Sequence, residues 1–164
     1  MTRSGAVLVA ILVIVVGCAG REDARPSVPP SAIPVLPSPS AALLGSPPAA
    51  RLTVEGGDPV EGQLGTYTWA NGGSDSPWLP GAPIAAATGE PLTVAFDPPV
   101  GVAAWRALIV PAGADGPAGG RVIGEGSGTP RVEAPEPGSW TLEIQVTFAA
   151  SMGAASYAWA LTVS

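Results

Sequence analysis

Trp140-Thr-Leu-Glu-Ile-Gln-Val-Thr-Phe148 alternates apolar and polar residues without a break, placing Trp140, Leu142, Ile144, Val146 and Phe148 on one face and Thr141, Glu143, Gln145 and Thr147 on the other. A period of two is that of a half-buried strand, because successive side chains of an extended backbone point to opposite faces. Ala149-Ala-Ser-Met-Gly-Ala154 follows as a loop, and Ser156-Tyr-Ala-Trp-Ala-Leu-Thr-Val163 resumes the alternation with Tyr157, Trp159, Leu161 and Val163 on one face. Together these segments read as a C-terminal β-hairpin. Upstream, the same pattern predicts strands at 51–54, 63–70, 83–87, 92–96 and 102–110, with shorter ones at 121–123 and 131–134, separated by Pro/Gly clusters. No helical period of useful length interrupts them, so the fold class is all-β.

Eight or so short strands in about 114 residues predict an antiparallel β-sandwich with immunoglobulin-like or fibronectin-III-like layering, a small barrel being the alternative. Pro135-Glu-Pro-Gly-Ser-Trp140, a turn feeding the long alternating strand, resembles the Pro-Gly-x-aromatic lead-in to a late strand of bacterial immunoglobulin-like modules. Gly65-Thr-Tyr-Thr-Trp69 is similar to a Gly-x-Tyr-Cys-Trp segment of uncharacterised bacterial envelope lipoproteins, in which a second Cys and an Asp follow. Thr68 stands at the Cys position here, no later Cys exists, and Asp75 is the match to the acidic residue. That resemblance implies an envelope location and carries no activity.

The first 50 residues are of another kind. One positive charge, Arg3, precedes an apolar run over residues 6–16 that is far shorter than the ~30 Å hydrocarbon core requires, as in an export signal. Val15-Val16-Gly17-Cys18 resembles the lipobox of bacterial lipoproteins, which implies cleavage before Cys18 and a diacylglyceryl group on its thiol. Residues 26–50 hold eight Pro among Ser and Ala, a composition that forms neither helix nor ladder and, in polyproline II, reaches up to roughly 80 Å. The expected organisation is a lipoprotein signal peptide over 1–17, a lipidated N-terminus and disordered linker over 18–50, and a β-sandwich over 51–164. The expected location is the extracytoplasmic face of the cell membrane, with the membrane as partner through lipid on Cys18.

Composition then removes most catalytic constellations. The chain has no His, all seven basic residues are Arg, and its one Cys is Cys18. A Ser-His-Asp or Cys-His site needs an imidazole and a Schiff-base site needs an amine, so no catalytic residue is assigned. Zinc and copper lose their usual nitrogen and sulfur donors, and neither a metal nor another cofactor is expected. From Arg51 onward four Arg face eleven Asp and Glu, a formal net charge of −7 that is unsuited to nucleic acid.

What remains is a binding surface. The loop Asn71-Gly-Gly-Ser-Asp-Ser-Pro-Trp-Leu-Pro-Gly81 is the longest irregular segment, and Trp78 in it has no strand context. An exposed Trp stacks on a sugar ring, with Asp75 and Asn71 as partners for hydroxyls; alternatively Trp78 and Leu79 plug one end of the sandwich. Asp75, Asp97 and Asp115 read as solvated loop charge and not as a calcium cluster. Glu125, Glu133 and Glu143 sit on or beside strands with no sign of a cleft. Arg106, inside a strand apolar on both faces, is expected to pair across to Glu143 or to lie at an edge. The expectation from these residues is a non-catalytic sandwich that binds an envelope protein or other envelope component, with a carbohydrate-binding module using Trp78 as the alternative. Cys18→Ser is expected to leave the precursor uncleaved and free of lipid; radiolabelled acyl incorporation equal to wild type would sink the anchor.

Overall fold

The computed structural model describes residues 45–79 and 81–164, so the expected export signal, Cys18 and the expected linker up to residue 44 lie outside them. The described residues form eleven strands: β1 (Ala49–Val54), β2 (Val60–Glu61), β3 (Gln63–Trp69), β4 (Gly72–Ser74), β5 (Ala82–Ala86), β6 (Pro91–Asp97), β7 (Val102–Pro111), β8 (Arg121–Gly126), β9 (Arg131–Glu133), β10 (Gly138–Phe148) and β11 (Gly153–Val163). They divide between two sheets, one ordered β2-β1-β6-β9 and the other β4-β3-β11-β10-β7-β8, with β5 added beside β11. The fold is a mostly antiparallel β-sandwich of immunoglobulin-like layering, and the barrel alternative is set aside by the two separate sheets.

The hairpin read from the sequence is the centre of the larger sheet. β10 and β11 pair from Gly138↔Val163 to Thr147↔Ala154. Their connection is a 3-10 turn at Ala149–Ser151, with Ala150 and Ser151 at positive φ. The apolar faces of both strands turn inward, where Leu142, Ile144, Val146, Phe148, Tyr157, Trp159 and Leu161 are all buried. Leu52, Leu92, Val94 and Phe96 of the smaller sheet pack against them. Phe148 stands edge-on to Trp69 of its own sheet and to Phe96 of the other, with ring centroids 5.4 Å and 5.3 Å away, so the second contact crosses between the sheets.

Two side chains of β11 bind the smaller sheet through polar atoms as well. Trp159 is fully buried and its Nε1 donates to the Val60 carbonyl at 2.9 Å. Its ring lies so close to Gly62 that a Cβ there would come within 2.4 Å of Cζ2, which is why the short link between β2 and β3 carries glycine. The Tyr157 hydroxyl donates to the Pro48 carbonyl at 2.7 Å, and burial pushes the phenol far above its ordinary titration range. Pro47, Pro48 and Ala50 are buried, and Ala49 and Ala50 begin β1; residues assigned above to the linker are therefore part of the sandwich.

Three further differences from the sequence expectation have plain causes. Gly72–Ser74, placed in the irregular loop, pairs with Tyr67, Thr68 and Trp69 as a two-residue-turn hairpin. Arg106 does not meet Glu143: the ladder sets it opposite Gln145 on β10 and Glu125 on β8, whereas Glu143 stands opposite Leu108. On β7, Ala107 and Ile109 join the core while Leu108 and Val110 are buried on the other face. The β7–β8 connection folds onto that second face, since a Cβ at Gly120 would lie 3.2 Å from Val110 Cγ2. Trp159→Ala should cost about 3–5 kcal/mol of unfolding free energy, the usual loss for a large buried aromatic; a loss near zero in a urea titration would refute its place in the core.

Candidate functional site

Alternation along β10 dictates that Glu143 points away from the core, in the middle of the larger sheet between Leu108 of β7 and Ala158 of β11. A solvated carboxylate is the ordinary outcome at such a position, yet Glu143 is only 6% exposed. Among the described residues the buried polar side chains are Glu143 and Thr141, both on this outer face of β10. Two connections lie over the face. Residues 75–79, between β4 and β5, come from one flank, and residues 112–120, between β7 and β8, come from the other.

Between them is a groove of about 670 Å³. Its floor is the outer face of the sheet, including Arg106, Glu143, Gln145, Thr147 and Ser156; Trp78 and Leu79 line it from one connection, Asp115 and Pro117 from the other. Trp78 is half-buried and Leu79 is 46% exposed, so this pair forms a wall of the groove and not a plug in the core. The backbone around Trp78 is fixed at both ends. Pro77 restricts its own φ. Gly81 approaches β11 so closely that a Cβ would fall 1.7 Å from the Ala158 carbonyl oxygen. Ala158 is the ladder partner of Glu143, so the contact that seats the wall sits beside the carboxylate.

Burial pushes the Glu143 carboxyl above the ordinary carboxylate range, while hydrogen bonds from Gln145 and Ser156 act in the opposite sense. The Gln145 Nε2 donates to Glu143 Oε2 at 3.4 Å, and the Ser156 hydroxyl also reaches the Thr66 carbonyl at 3.4 Å. No cation among the described residues pairs with Glu143. The ion pairs among the described residues are Arg51 with Asp97 at 3.6 Å and Arg121 with Glu136, both at the surface. Glu136 is held below the ordinary carboxylate range by its own backbone N–H and then by Arg121.

The structure treats the residues singled out from the sequence differently. Trp78 lines the groove, whereas Asp75 and Asn71 are exposed and lie outside the lining. Pairing of Gly72–Ser74 with β3 straightens the chain between them, leaving Asn71 in the hairpin turn. Glu143, Gln145, Ser156 and Asp115 were not grouped by sequence, because nothing local marks two distant connections as folding over one sheet face. Cys18 lies outside the described residues.

No protein-family model matches the chain, and no curated protein matches it. Solved structures align with about half of it. One is described as the catalytic domain of an LPMO from Listeria monocytogenes, at 11% identity and a TM-score of 0.43 over 51% of this chain and 61% of that one. A second is a CBM33 of Bacillus amyloliquefaciens in complex with Cu(I), at 13% identity and a TM-score of 0.42 over 51% and 57%. A third is a Jonesia denitrificans lytic polysaccharide monooxygenase, at 15% identity and a TM-score of 0.38 over 52% and 60%.

The expectation of a non-catalytic sandwich that binds an envelope protein or other envelope component is corrected. Of the structures found, one is described as a catalytic domain and another as a lytic polysaccharide monooxygenase, neither as a protein-binding module. Its physical premise also fails on this chain's own geometry: carboxylate chemistry was set aside for want of a cleft, and the groove brings Glu143 and Asp115 into one lining. Because the folded pKa of Glu143 is raised, its protonated form stabilises the fold, and that contribution is lost as pH rises from the ordinary carboxylate range through the folded value. Glu143→Gln is therefore expected to flatten the fall in thermal midpoint between about pH 4 and pH 7 and to raise the midpoint at pH 7; parallel profiles for the two proteins would contradict the burial of this carboxylate.

Proposed function

We propose that the groove over the outer face of β10 and β11 binds a segment of a polysaccharide chain, and that a lipid on Cys18 holds the sandwich at the membrane. The half-buried Trp78 beside a polar floor is the observation that carries this reading. A sugar ring presents a face of C–H groups and a rim of hydroxyls. An indole wall takes the face, and amide, hydroxyl and carboxylate groups such as Gln145, Ser156 and Glu143 take the rim. A volume of about 670 Å³ is within the ordinary range for ligand sites and leaves room for more than one sugar unit. The groove is open along the sheet, which suits a chain better than a single small molecule.

Displacement of water from Trp78 by a sugar gives the test. Titration of the full-length chain in detergent with soluble wall polysaccharide or defined oligosaccharides is expected to change tryptophan emission saturably. Trp78→Ala should weaken binding by a factor of about 10 or more, as for other anchoring aromatics. No response to any glycan, or an undiminished affinity in Trp78→Ala, would rule the groove out as a sugar site.

A further inference from the structure

The groove contains one ionic group with an unmet need. An ionised carboxylate accepts about four hydrogen bonds, and Glu143 has Gln145 and Ser156 as its side-chain partners. It is 6% exposed, so water does little of the rest. Leaving a charge buried without a counter-ion is among the costlier arrangements in a fold. The charged groups around it do not relieve this. Arg106, diagonal to it across the β7–β10 ladder, makes no ion pair with it and stands directly opposite Glu125. Asp115, on the facing wall, adds a second negative charge, and β3 and β11 contribute no charged side chain to the lining. The described residues carry four Arg against eleven Asp and Glu, so the field of the whole domain attracts cations.

We infer that the groove selects sugar chains bearing free amines, the de-N-acetylated amino-sugar polymers, with the ammonium meeting Glu143 and a ring face meeting Trp78. This rests on the reading of the groove as a sugar site and adds the substrate class. An amine supplies both the missing positive charge and donors for the empty acceptor positions. A neutral chain supplies donors alone, and a uronic acid chain brings a third negative charge to Glu143 and Asp115.

The test is calorimetric titration of the full-length chain near pH 6 with a glucosamine hexamer, its N-acetylated counterpart and hexalysine. The glucosamine hexamer is expected to bind tighter than the N-acetylated one by a factor of about 10 or more, the worth of a hydrogen-bonded charge. Added salt should shrink that preference, and Glu143→Gln should abolish it by weakening the glucosamine hexamer more than the N-acetylated one. Equal affinity of the wild type for the two hexamers overturns the inference whether or not the variant folds, as does a preference that survives in Glu143→Gln. If both hexamers bind equally and Trp78→Ala still weakens both, the selectivity alone is wrong. If neither binds, the sugar site itself is wrong. Hexalysine binding as tightly as the glucosamine hexamer, without dependence on Trp78, would replace the sugar with a basic peptide and overturn it too.

Discussion

β11 has neighbours on both edges and, along its length, more than one on the same edge. β10 runs beside it for ten residue pairs, β3 pairs with its first half, and β5 lies parallel to its second half from Trp159↔Ala82 to Val163↔Ala86. From its inner face Tyr157 and Trp159 donate hydrogen bonds to Pro48 and Val60, at the start of the smaller sheet. Both sheets and the wall of the groove are thus referenced to one strand. The apolar alternation of residues 157–163 fixes which face of that strand is buried, and a slip of one residue would turn Trp159 and Tyr157 outward.

The same register that buries Trp159 forces Glu143 outward and under the two connections. The carboxylate is therefore not a misplaced core residue. It sits on the face where a sandwich of this kind ordinarily meets water, and here that face is the floor of a groove that Trp78 and Leu79 line from one connection and Asp115 and Pro117 from the other. Gly81 is the hinge point of that arrangement, because only a residue without Cβ lets the first connection reach the Ala158 carbonyl. The polar groups around Glu143 come from neighbouring rows of the same face: Gln145 two residues along β10, and Ser156 across from it on β11.

Much of the fold could be read from sequence because sandwich strands are local signals. The alternation at 140–148 and 156–163 located the hairpin, and the predicted strands at 63–70, 83–87 and 92–96 agree with β3, β5 and β6 to within a residue or two at their ends. β2 and β4, of two and three residues, are too short to carry a period. The parallel pairing of β5 with β11 joins segments far apart in the chain, and no local pattern reports it. The groove was legible only in Trp78. Thr141, Glu143, Gln145 and Thr147 recur with the period of any solvated face, and no local pattern reports that Thr141 and Glu143 are buried. Asp75 and Asn71 were grouped with Trp78 by nearness in sequence, which a three-residue hairpin was enough to undo.

The hydrogen bond from Tyr157 to Pro48 also settles how the domain would carry a mechanical load. Tension drawn from the N-terminal side, against something held in the groove, enters at the residues just before β1. Without that bond it would pass through the β1–β6 ladder and reach the larger sheet across the apolar layer and the Trp159–Val60 hydrogen bond. With it, the pulling point is fastened directly to the strand that forms the floor of the groove. A pull on the residues before β1 is thereby shared between the β1–β6 ladder and that floor strand, through one phenol oxygen and one proline carbonyl.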